Sequence, residues 1–323
     1  MMRVAVIGAG IAGLACANAL RAAGHIPAIF EKSYGVGGRM STRQAASGDA
    51  DISFDHGATH FTVRSNAFKA LVDDWRARDL AAPWPVAGLH AWVGTPTMDA
   101  PLIDMARHHD VRFDTAITAV TRHGPRWTVH SEKQRFDGFD AAVLAIPAEQ
   151  AAPLLSLHDF DMARAAMGVT SRPVWSATFL FPERIAVLPD FLRGPAPLVH
   201  AVRSNARPGR GDAEHWVVQA DWNWSEANIA REPHTVASAL LAILEDVAGA
   251  PLPEPLLADA QRWRFAQPSG SDLGHLWNGA IGIGACGDWL SHGFVEYAWQ
   301  SGNALGEAIA AEAVGTRKIS ARS

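Results

Sequence analysis

Residues 4–13 read Val4-Ala5-Val6-Ile7-Gly8-Ala9-Gly10-Ile11-Ala12-Gly13. An apolar run enters Gly-x-Gly-x-x-Gly, which predicts a buried strand ending at Ile7 and a tight turn into a helix. Gly8 allows the turn, Gly10 lets backbone approach a pyrophosphate, and Gly13 lets the helix pack on the strand. Leu14 to Ala23 is Ala-rich and helix-forming, and Gly24 stands where a C-cap would fall. The helix N-terminus would offer free N–H groups and partial positive charge to phosphates. Ile26 to Phe30 reads as the next strand, and Glu31 at its tip is placed to accept from ribose hydroxyls. An acid there disfavours a 2′-phosphate, which argues against NADP at this position.

Two further segments specify the dinucleotide. Gly37-Gly38-Arg39 follows Glu31 closely, and Cys286-Gly287-Asp288 follows a second apolar run near the other end. Together the three segments describe FAD, in a cofactor domain assembled from both ends of the chain. A second Gly-x-Gly-x-x-Gly, at Gly282–Gly287, has too little chain after it for its own strand–helix–strand unit. It reads as a strand running into a Gly-Asp turn.

Composition narrows the partners. The 323 residues carry net charge −5 and are 48% hydrophobic, which proposes neither nucleic acid nor an anionic membrane and supplies a sizeable core. The two cysteines, Cys16 and Cys286, are too few for a disulfide framework, and Cys16 reads as a small buried residue within the first helix. The glycine motif interrupts the apolar N-terminal run, so no signal peptide is read there. No apolar stretch reaches the roughly 18–20 residues of a membrane helix. A soluble, cytoplasmic protein of a reducing compartment is expected, with no metal and with its oligomeric state left open.

Along the chain, a Gly/Ser-rich loop is expected over 33–50 and a short strand from Asp51 to Phe54. Helices are expected at Asn66–Arg78, with Ser65 or Asn66 as N-cap, and at Ala100–His109. Strand patterns follow at Val111–Phe113, Ile117–Arg122, Arg126–Ser131 and Ala141–Pro147. The texture then changes. Val174–Phe181, His215–Trp222 and Gln261–Ala266 alternate as half-buried antiparallel strands, around an amphipathic helix at Thr235–Val247. From Ala280 the dinucleotide texture returns, and Val295–Ala313 reads as a final helix. The expected fold class is α/β, a Rossmann-type FAD-binding domain (1–64, 98–150 and 277–315) with an inserted, mainly antiparallel β substrate domain (65–97 and 151–276).

With these motifs in order, the chain resembles the FAD-dependent amine oxidase superfamily. Further segments resemble its renalase-like branch, the bacterial members above all. They are Gly57-Ala58-Thr59-His60-Phe61-Thr62, Trp92-Val93-Gly94-x-Pro96-x-Met98, Arg262-Trp263-Arg264-Phe265-Ala266, Cys286-Gly287-Asp288-Trp289 and Val295-Glu296-x-Ala298-Trp299-x-Ser301-Gly302. The resemblance implies that Glu31 holds the adenosine ribose. It places Gly38, Arg39 and Met40 along the pyrophosphate and flavin, Gly57 and Ala58 close to the isoalloxazine, and Asp288 on the ribityl or pyrophosphate portion. The last helix would begin at Val295 and Glu296 beneath the flavin pyrimidine ring, where a helix N-terminus stabilises the negative charge of reduced flavin. Gly8, Gly10, Ile11, Ala12, Gly13, Lys32, Val120 and Gly287 complete the expected cofactor set.

The resemblance also implies oxidation of aberrant dihydronicotinamide isomers of NAD(P)H, with molecular oxygen reduced to hydrogen peroxide. Many amine oxidases of the superfamily place a Lys near flavin N5, and here no Lys lies between Lys133 and Lys318. No Cys follows Cys286 to carry a covalent flavin link, so FAD is expected to be non-covalent. His60 stands where renalase-like sequences have Tyr, which bears on the substrate more than on the fold. His60 and Glu296 are the catalytic candidates. His60, Trp175, Trp222, Trp263, Trp289 and Trp299 are the candidates for a slot that takes a flat ring. His56 and His60 lie four apart but not on a helix, which argues against metal. His108-His109 reads as a helix-end cap, and Arg203 and Arg207 as a solvated loop or a phosphate-binding pair. Two alternatives stand: an oxidase or desaturase of another small substrate, and a non-catalytic FAD-binding protein.

Overall fold

The computed structural model describes residues 1–47 and 50–320, and these divide into two compact units. The first comprises Met1–Gly38, Leu102–Thr170 and Pro268–Ser323, the second Arg39–Pro101 and Ser171–Gln267. Compactness thus takes residues 39–64 and 98–101 with the second unit, and 151–170 and 268–276 with the first.

The opening run forms the strand Arg3–Ile7, the helix Ile11–Ala22 and the strand Ile26–Phe30. Val4, Ala5 and Val6 are wholly buried, as a parallel strand covered on both faces requires. The sheet order is Leu276–Asn278, Ile283–Ala285, Ala141–Leu144, Arg3–Ile7, Ile26–Phe30, Asp110–Arg112. The strands run parallel except Leu276–Asn278, which pairs antiparallel with Ile283–Ala285. Strands from the two ends of the chain, Arg3–Ile7 and Ile283–Ala285, therefore flank Ala141–Leu144 on either side within one sheet, as expected for a Rossmann-like fold.

The long helix Val295–Ser320 packs on Ile11–Ala22 through glycines. A Cβ on Gly302 would lie 1.9 Å from the Ala12 carbonyl oxygen, and one on Gly306 would lie 2.6 Å from Ala19 Cβ. A three-stranded antiparallel sheet, Ile117–His123, Arg126–Ser131 and Arg135–Phe139, adds Trp127, Phe136 and Phe139 to the core beside Phe30. Each such buried ring contributes about 1.5–3 kcal/mol relative to exposure.

The second unit is built on an antiparallel sheet in the order Phe191–Leu192, Leu198–Arg203, His215–Ala220, Ser171–Leu180, Leu257–Pro268. Alternate residues Trp175, Ala177 and Phe179 share a core with Val236, Ala237, Leu240 and Leu244 of the helix Pro233–Ala248. Pro233 starts that helix and Gly249, at φ 69°, stops it. Smaller sheets pair Arg43–Ser47 with Ala50–Phe54, and Ala91–Gly94 with Phe61–Thr62 and Ala81–Pro83.

Several expected boundaries move. The loop expected over 33–50 contains the strand Arg43–Ser47, and residues 48 and 49 lie outside the described residues, as do 321–323. The strand expected to reach Trp222 stops at Ala220, because Asp221 caps the helix Trp222–Ala227 by accepting from Trp224 N at 2.8 Å. The helix expected to reach His109 ends at Ala106. His109 is no charged helix cap. It sits 2.7 Å from Asn18 Oδ1, and its pKa falls to about 4 through burial first, then Arg21 and His108.

Candidate functional site

In the first unit three glycine-bearing turns gather at the strand ends. Gly8 takes φ 106°, and a Cβ there would lie 2.4 Å from the Ala145 carbonyl oxygen. A Cβ on Gly13 would lie 2.0 Å from the Gly8 carbonyl oxygen, so helix and strand meet there with no room for a side chain. Gly10 differs: a Cβ on it would meet nothing within 4 Å. It is also the N-cap of Ile11–Ala22, without a side-chain cap and with no acid in the first turn. The helix thus opens its N–H groups and positive dipole end toward free space.

The Gly37-Gly38 turn lies on this one. Gly37 N donates to the Ala9 carbonyl at 3.1 Å, and a Cβ on Gly38 would be 3.6 Å from Gly10 Cα. Glu31 is buried at the second strand's end; Oε2 accepts from Ala9 N at 2.8 Å and Oε1 from Ser33 N at 2.9 Å. Each oxygen retains a lone pair for a further donor. Glu31 therefore clamps the glycine turn, a role that sequence reading missed. Ile11 and Ala12 are buried, and Lys32 is exposed.

The third turn follows Ile283–Ala285. Cys286 N donates to Leu144 O at 3.1 Å, and Gly287, at φ 152°, donates its N–H to Ser301 Oγ at 2.9 Å. Asp288 is 3% exposed. Val295 opens the last helix, and Glu296, in its first turn, is buried. Val120 is buried, and its carbonyl lies 2.8 Å from His158 Nε2. An uncapped helix N-terminus with a clear Gly10 face, two stacked glycine turns and a buried acid at the next strand tip fit the pyrophosphate and ribose of FAD.

In the second unit the segment 55–60 is held from several sides. Ala58 N donates to Arg39 O at 2.7 Å, and a Cβ on Gly57 would lie 2.1 Å from that oxygen. Arg39 Nη1 donates to Ala266 O at 2.9 Å, and Met40 is buried. Gln219 Nε2 donates to Gly57 O at 2.6 Å. Trp263 donates to His56 O at 2.9 Å and stacks on the His56 ring at 5.2 Å.

Beneath this segment Asp55 is fully buried with two guanidinium groups. Asp55 Oδ2 pairs with Arg207 Nη1 at 2.9 Å and with Arg210 Nη2. Thr42 Oγ1 and Met98 N donate to Oδ1 at 2.6 and 3.0 Å. Burial would raise the Asp55 carboxyl, but the two arginines and these hydrogen bonds outweigh it and hold its pKa below the ordinary range. Arg207 also donates to Thr59 O at 3.1 Å and Ser204 Oγ at 2.7 Å. The expected solvated loop is therefore corrected: Arg203 and Arg207 are 1% and 2% exposed. Arg203 bonds Glu214 and the Ile185 and Leu188 carbonyls and lies over the Trp216 ring, so neither arginine faces solvent or a free phosphate.

His60 is half-buried, and its pKa falls to about 4 through burial first, then the charges of Arg193 and Arg207. Of the slot tryptophans, Trp175 and Trp289 are corrected to core residues. Each is 1% exposed, with its indole N–H on the Asn228 and Ile146 carbonyls respectively. Trp222, Trp263 and Trp299 are half-buried, and Arg172 covers one face of Trp222 at 4.3 Å. Among the described residues, no group of three or more His, Cys, Asp or Glu side chains is placed to hold a metal. None of their helices is long and apolar enough to cross a membrane.

Comparison with known proteins agrees with this cradle. A family model described as NAD(P)-binding Rossmann-like domain matches residues 6–75. Among solved structures, the chain is similar to a putative protoporphyrinogen oxidase from Exiguobacterium sp. 255-15, at 12% identity over 96% of this chain and 99% of that one, TM-score 0.74. It is similar to cyclohexylamine oxidase from Brevibacterium oxydans IH-35A, at 12% identity over 96% and 99%, TM-score 0.69. These likenesses show the fold. Among curated proteins, 4,4'-diapophytoene desaturase (4,4'-diaponeurosporene-forming) of Staphylococcus haemolyticus (strain JCSC1435) is 42% identical over 73 residues, which are 23% of this chain and 14% of the desaturase. The chain thus matches about a seventh of that relative's length. A second family model, flavin containing amine oxidoreductase, matches residues 87–309. That match covers well over half of the chain, which belongs to the flavin-containing amine oxidoreductase family and is an FAD-dependent oxidoreductase.

Proposed function

We propose that the protein oxidises dihydronicotinamide dinucleotides, the aberrant isomers of NAD(P)H, with molecular oxygen as the electron acceptor. The balance is one dihydronicotinamide, one O2 and one proton giving one oxidised nicotinamide and one H2O2. FAD, when bound, supplies the hydride acceptor. Gly8, Gly10, Ile11, Ala12, Gly13, Glu31, Lys32, Gly38 and Val120 would hold its adenosine and pyrophosphate portions. Arg39, Met40, Gly57, Ala58, Gly287, Asp288, Val295 and Glu296 would hold the remainder non-covalently. A cytoplasmic location accords with the two buried free thiols.

The observation that carries the reading is His60. A base with a pKa of about 4 is neutral at pH 7 and has little driving force to remove a proton. A dihydropyridine needs none removed: hydride leaves from carbon, and the ring nitrogen carries no proton. An amine must first lose its ammonium proton. The Arg193 and Arg207 charges that depress His60 also oppose a cationic substrate and favour an anionic dinucleotide. The half-buried Trp222, Trp263 and Trp299 would orient a flat ring.

A second reading is oxidation or desaturation of another small substrate, as in the cyclohexylamine oxidase and diapophytoene desaturase that the chain resembles. Anaerobic mixing decides between them. Dihydronicotinamide isomers should bleach the flavin, and air should restore it; bleaching by amines alone would establish the second reading. His60→Ala and Glu296→Gln should change substrate affinity more than the limiting rate of bleaching. A loss of about a thousandfold in that rate would reveal a general base.

A further inference from the structure

Ser301 lies in the second turn of the helix Val295–Ser320 and is 3% exposed. A serine inside a helix ordinarily turns to solvent or bonds back to its own helix. This one serves two loops. Its Oγ accepts from Gly287 N at 2.9 Å and donates to Gly274 O at 2.5 Å. The two bonds orient each other. The single hydroxyl proton goes to the Gly274 carbonyl, so a lone pair is left facing the Gly287 N–H. All three residues belong to the first unit.

The segment that carries Gly274 is itself fastened. Ser271 N donates to Ser291 O at 3.0 Å, Gly274 N to Leu290 O at 2.7 Å, and Ser271 Oγ to Trp289 O at 3.3 Å. A Cβ on Gly270 would lie 2.2 Å from Ser291 O. The acceptor of the Ser301 proton is thus fixed to the chain that follows Asp288. Beside Ser301, Gly302 lies against Ala12 of the first helix. One stretch of the last helix therefore meets both the first helix, whose N-terminus takes the pyrophosphate, and the third turn. Gly287 holds φ 152°, a conformation open to glycine but not preferred by it, so the turn needs an outside bond to keep its place.

We propose that Ser301 is a positioning residue for FAD. Its hydroxyl fixes the Gly287-Asp288 turn to the last helix, so that Asp288 and the helix N-terminus at Val295 and Glu296 meet the cofactor as one piece. The proposal goes beyond the dihydronicotinamide reading and does not depend on the substrate. Without the hydroxyl, binding has to impose on the turn a placement that the protein otherwise holds in advance. Affinity then falls with the fraction of molecules in which the turn is correctly placed. Reduced flavin loses more than oxidised flavin, because a helix N-terminus stabilises its negative charge only at close, fixed range.

Ser301→Ala should raise the Kd for FAD, read by flavin fluorescence, by about tenfold, the effect of one hydrogen bond. The midpoint potential of the bound flavin, from dithionite titration against indicator dyes, should become more negative. Ser301→Thr keeps the hydroxyl and should restore both. Alanine is the better helix former, so helix propensity does not account for a loss. A serine with only a structural role gives a lower urea midpoint in the flavin-free protein, with Kd and potential as in wild type. That result overturns the proposal, and so does an equal loss of affinity in Ser301→Thr and Ser301→Ala. Should Ser301→Ala not fold, Ser301→Cys is measured instead, since its thiol has a similar shape and bonds weakly. A Kd about threefold above wild type supports the proposal, and a wild-type Kd overturns it. No substrate enters these measurements, so they leave the dihydronicotinamide reading to its own test.

Discussion

Gly10→Ala adds one methyl group at the N-cap of Ile11–Ala22, where the backbone holds φ −76° and ψ 176°. Alanine adopts that conformation without strain, and the new Cβ meets nothing within 4 Å. Two small effects act on the flavin-free protein. Reduced freedom of the unfolded chain stabilises by about 0.4–1 kcal/mol. Alanine is a poorer N-cap than glycine, which costs a few tenths to about 1 kcal/mol. The two nearly cancel, so flavin-free stability should move by less than about 0.5 kcal/mol. FAD binding should respond differently, because the methyl group enters the space through which the pyrophosphate reaches the helix N–H groups. Losing one charge-assisted hydrogen bond there forfeits about 1.5–3 kcal/mol, or about tenfold to 150-fold in Kd.

Gly13→Ala is the contrast. Its Cβ would stand 2.0 Å from the Gly8 carbonyl oxygen and 3.2 Å from Ala145 Cβ, so the helix must move off the strand. Stability should fall by about 1–3 kcal/mol before any FAD is added. Urea unfolding followed by tryptophan fluorescence measures the first quantity, and FAD titration by flavin fluorescence the second. A Gly10→Ala protein destabilised by more than about 1 kcal/mol, or one binding FAD within about threefold of wild type, would refute the assignment of that open face to the phosphates.

Glu31→Ala removes the acceptor for Ala9 N and Ser33 N as well as the proposed ribose contact. FAD affinity should fall by at least about tenfold, and full retention of flavin through dialysis would count against the assignment. Asp55→Asn leaves Arg207 and Arg210 buried without their shared carboxylate and should cost about 3–5 kcal/mol, read as a lowered Tm; an unchanged Tm would show that the cluster is not ionised as described. For His60 the folded pKa of about 4 lies below the ordinary 6.5, so the unfolded chain binds more protons between those values. Its contribution is intact above pH 6.5 and is lost as pH falls toward 4, a change on the order of 3 kcal/mol. Urea midpoints at pH 7 and pH 4 should therefore differ less in His60→Gln than in wild type, and an equal difference in both would reject the buried neutral imidazole.

The first unit was largely legible because its decisive features are local. Strand, turn, helix and acid follow within about one supersecondary unit, and each is set by side-chain size or backbone freedom. The glycines of the last helix carried a subtler signal. Gly302 and Gly306 lie four apart on one helix face, and each removes a Cβ that would collide with the first helix. Ser301, next to Gly302, accepts from Gly287 N, so one stretch of the last helix supports both the first helix and the third turn. Glu31 was legible as an acid at a strand tip but not as the clamp on Ala9 and Ser33, since that depends on how the turn folds back.

The second unit was legible in outline only, because its polar contacts join residues far apart in the chain. Nothing in the periodicity around Arg207 shows that Asp55 stands beside it, and an arginine read without its partner is assigned to solvent by default. The tryptophans fail for a related reason. Their number favours a slot or a core equally, and only packing decides which ring keeps an open face, as with Trp175 against Trp263. The buried charges then explain what His60 became. Asp55 is held ionised, and Arg207, lowered to about 10 by burial, remains protonated at pH 7. With Arg210 also paired to the same carboxylate, the cluster carries two cations for one anion beneath Thr59. Burial, together with the charges of Arg193 and of Arg207 from this cluster, keeps His60 and His200 neutral. Asp55 and Arg207 stand 152 residues apart in the chain, so the neutral state of His60 and His200 depends on a pairing that no local pattern in the sequence displays.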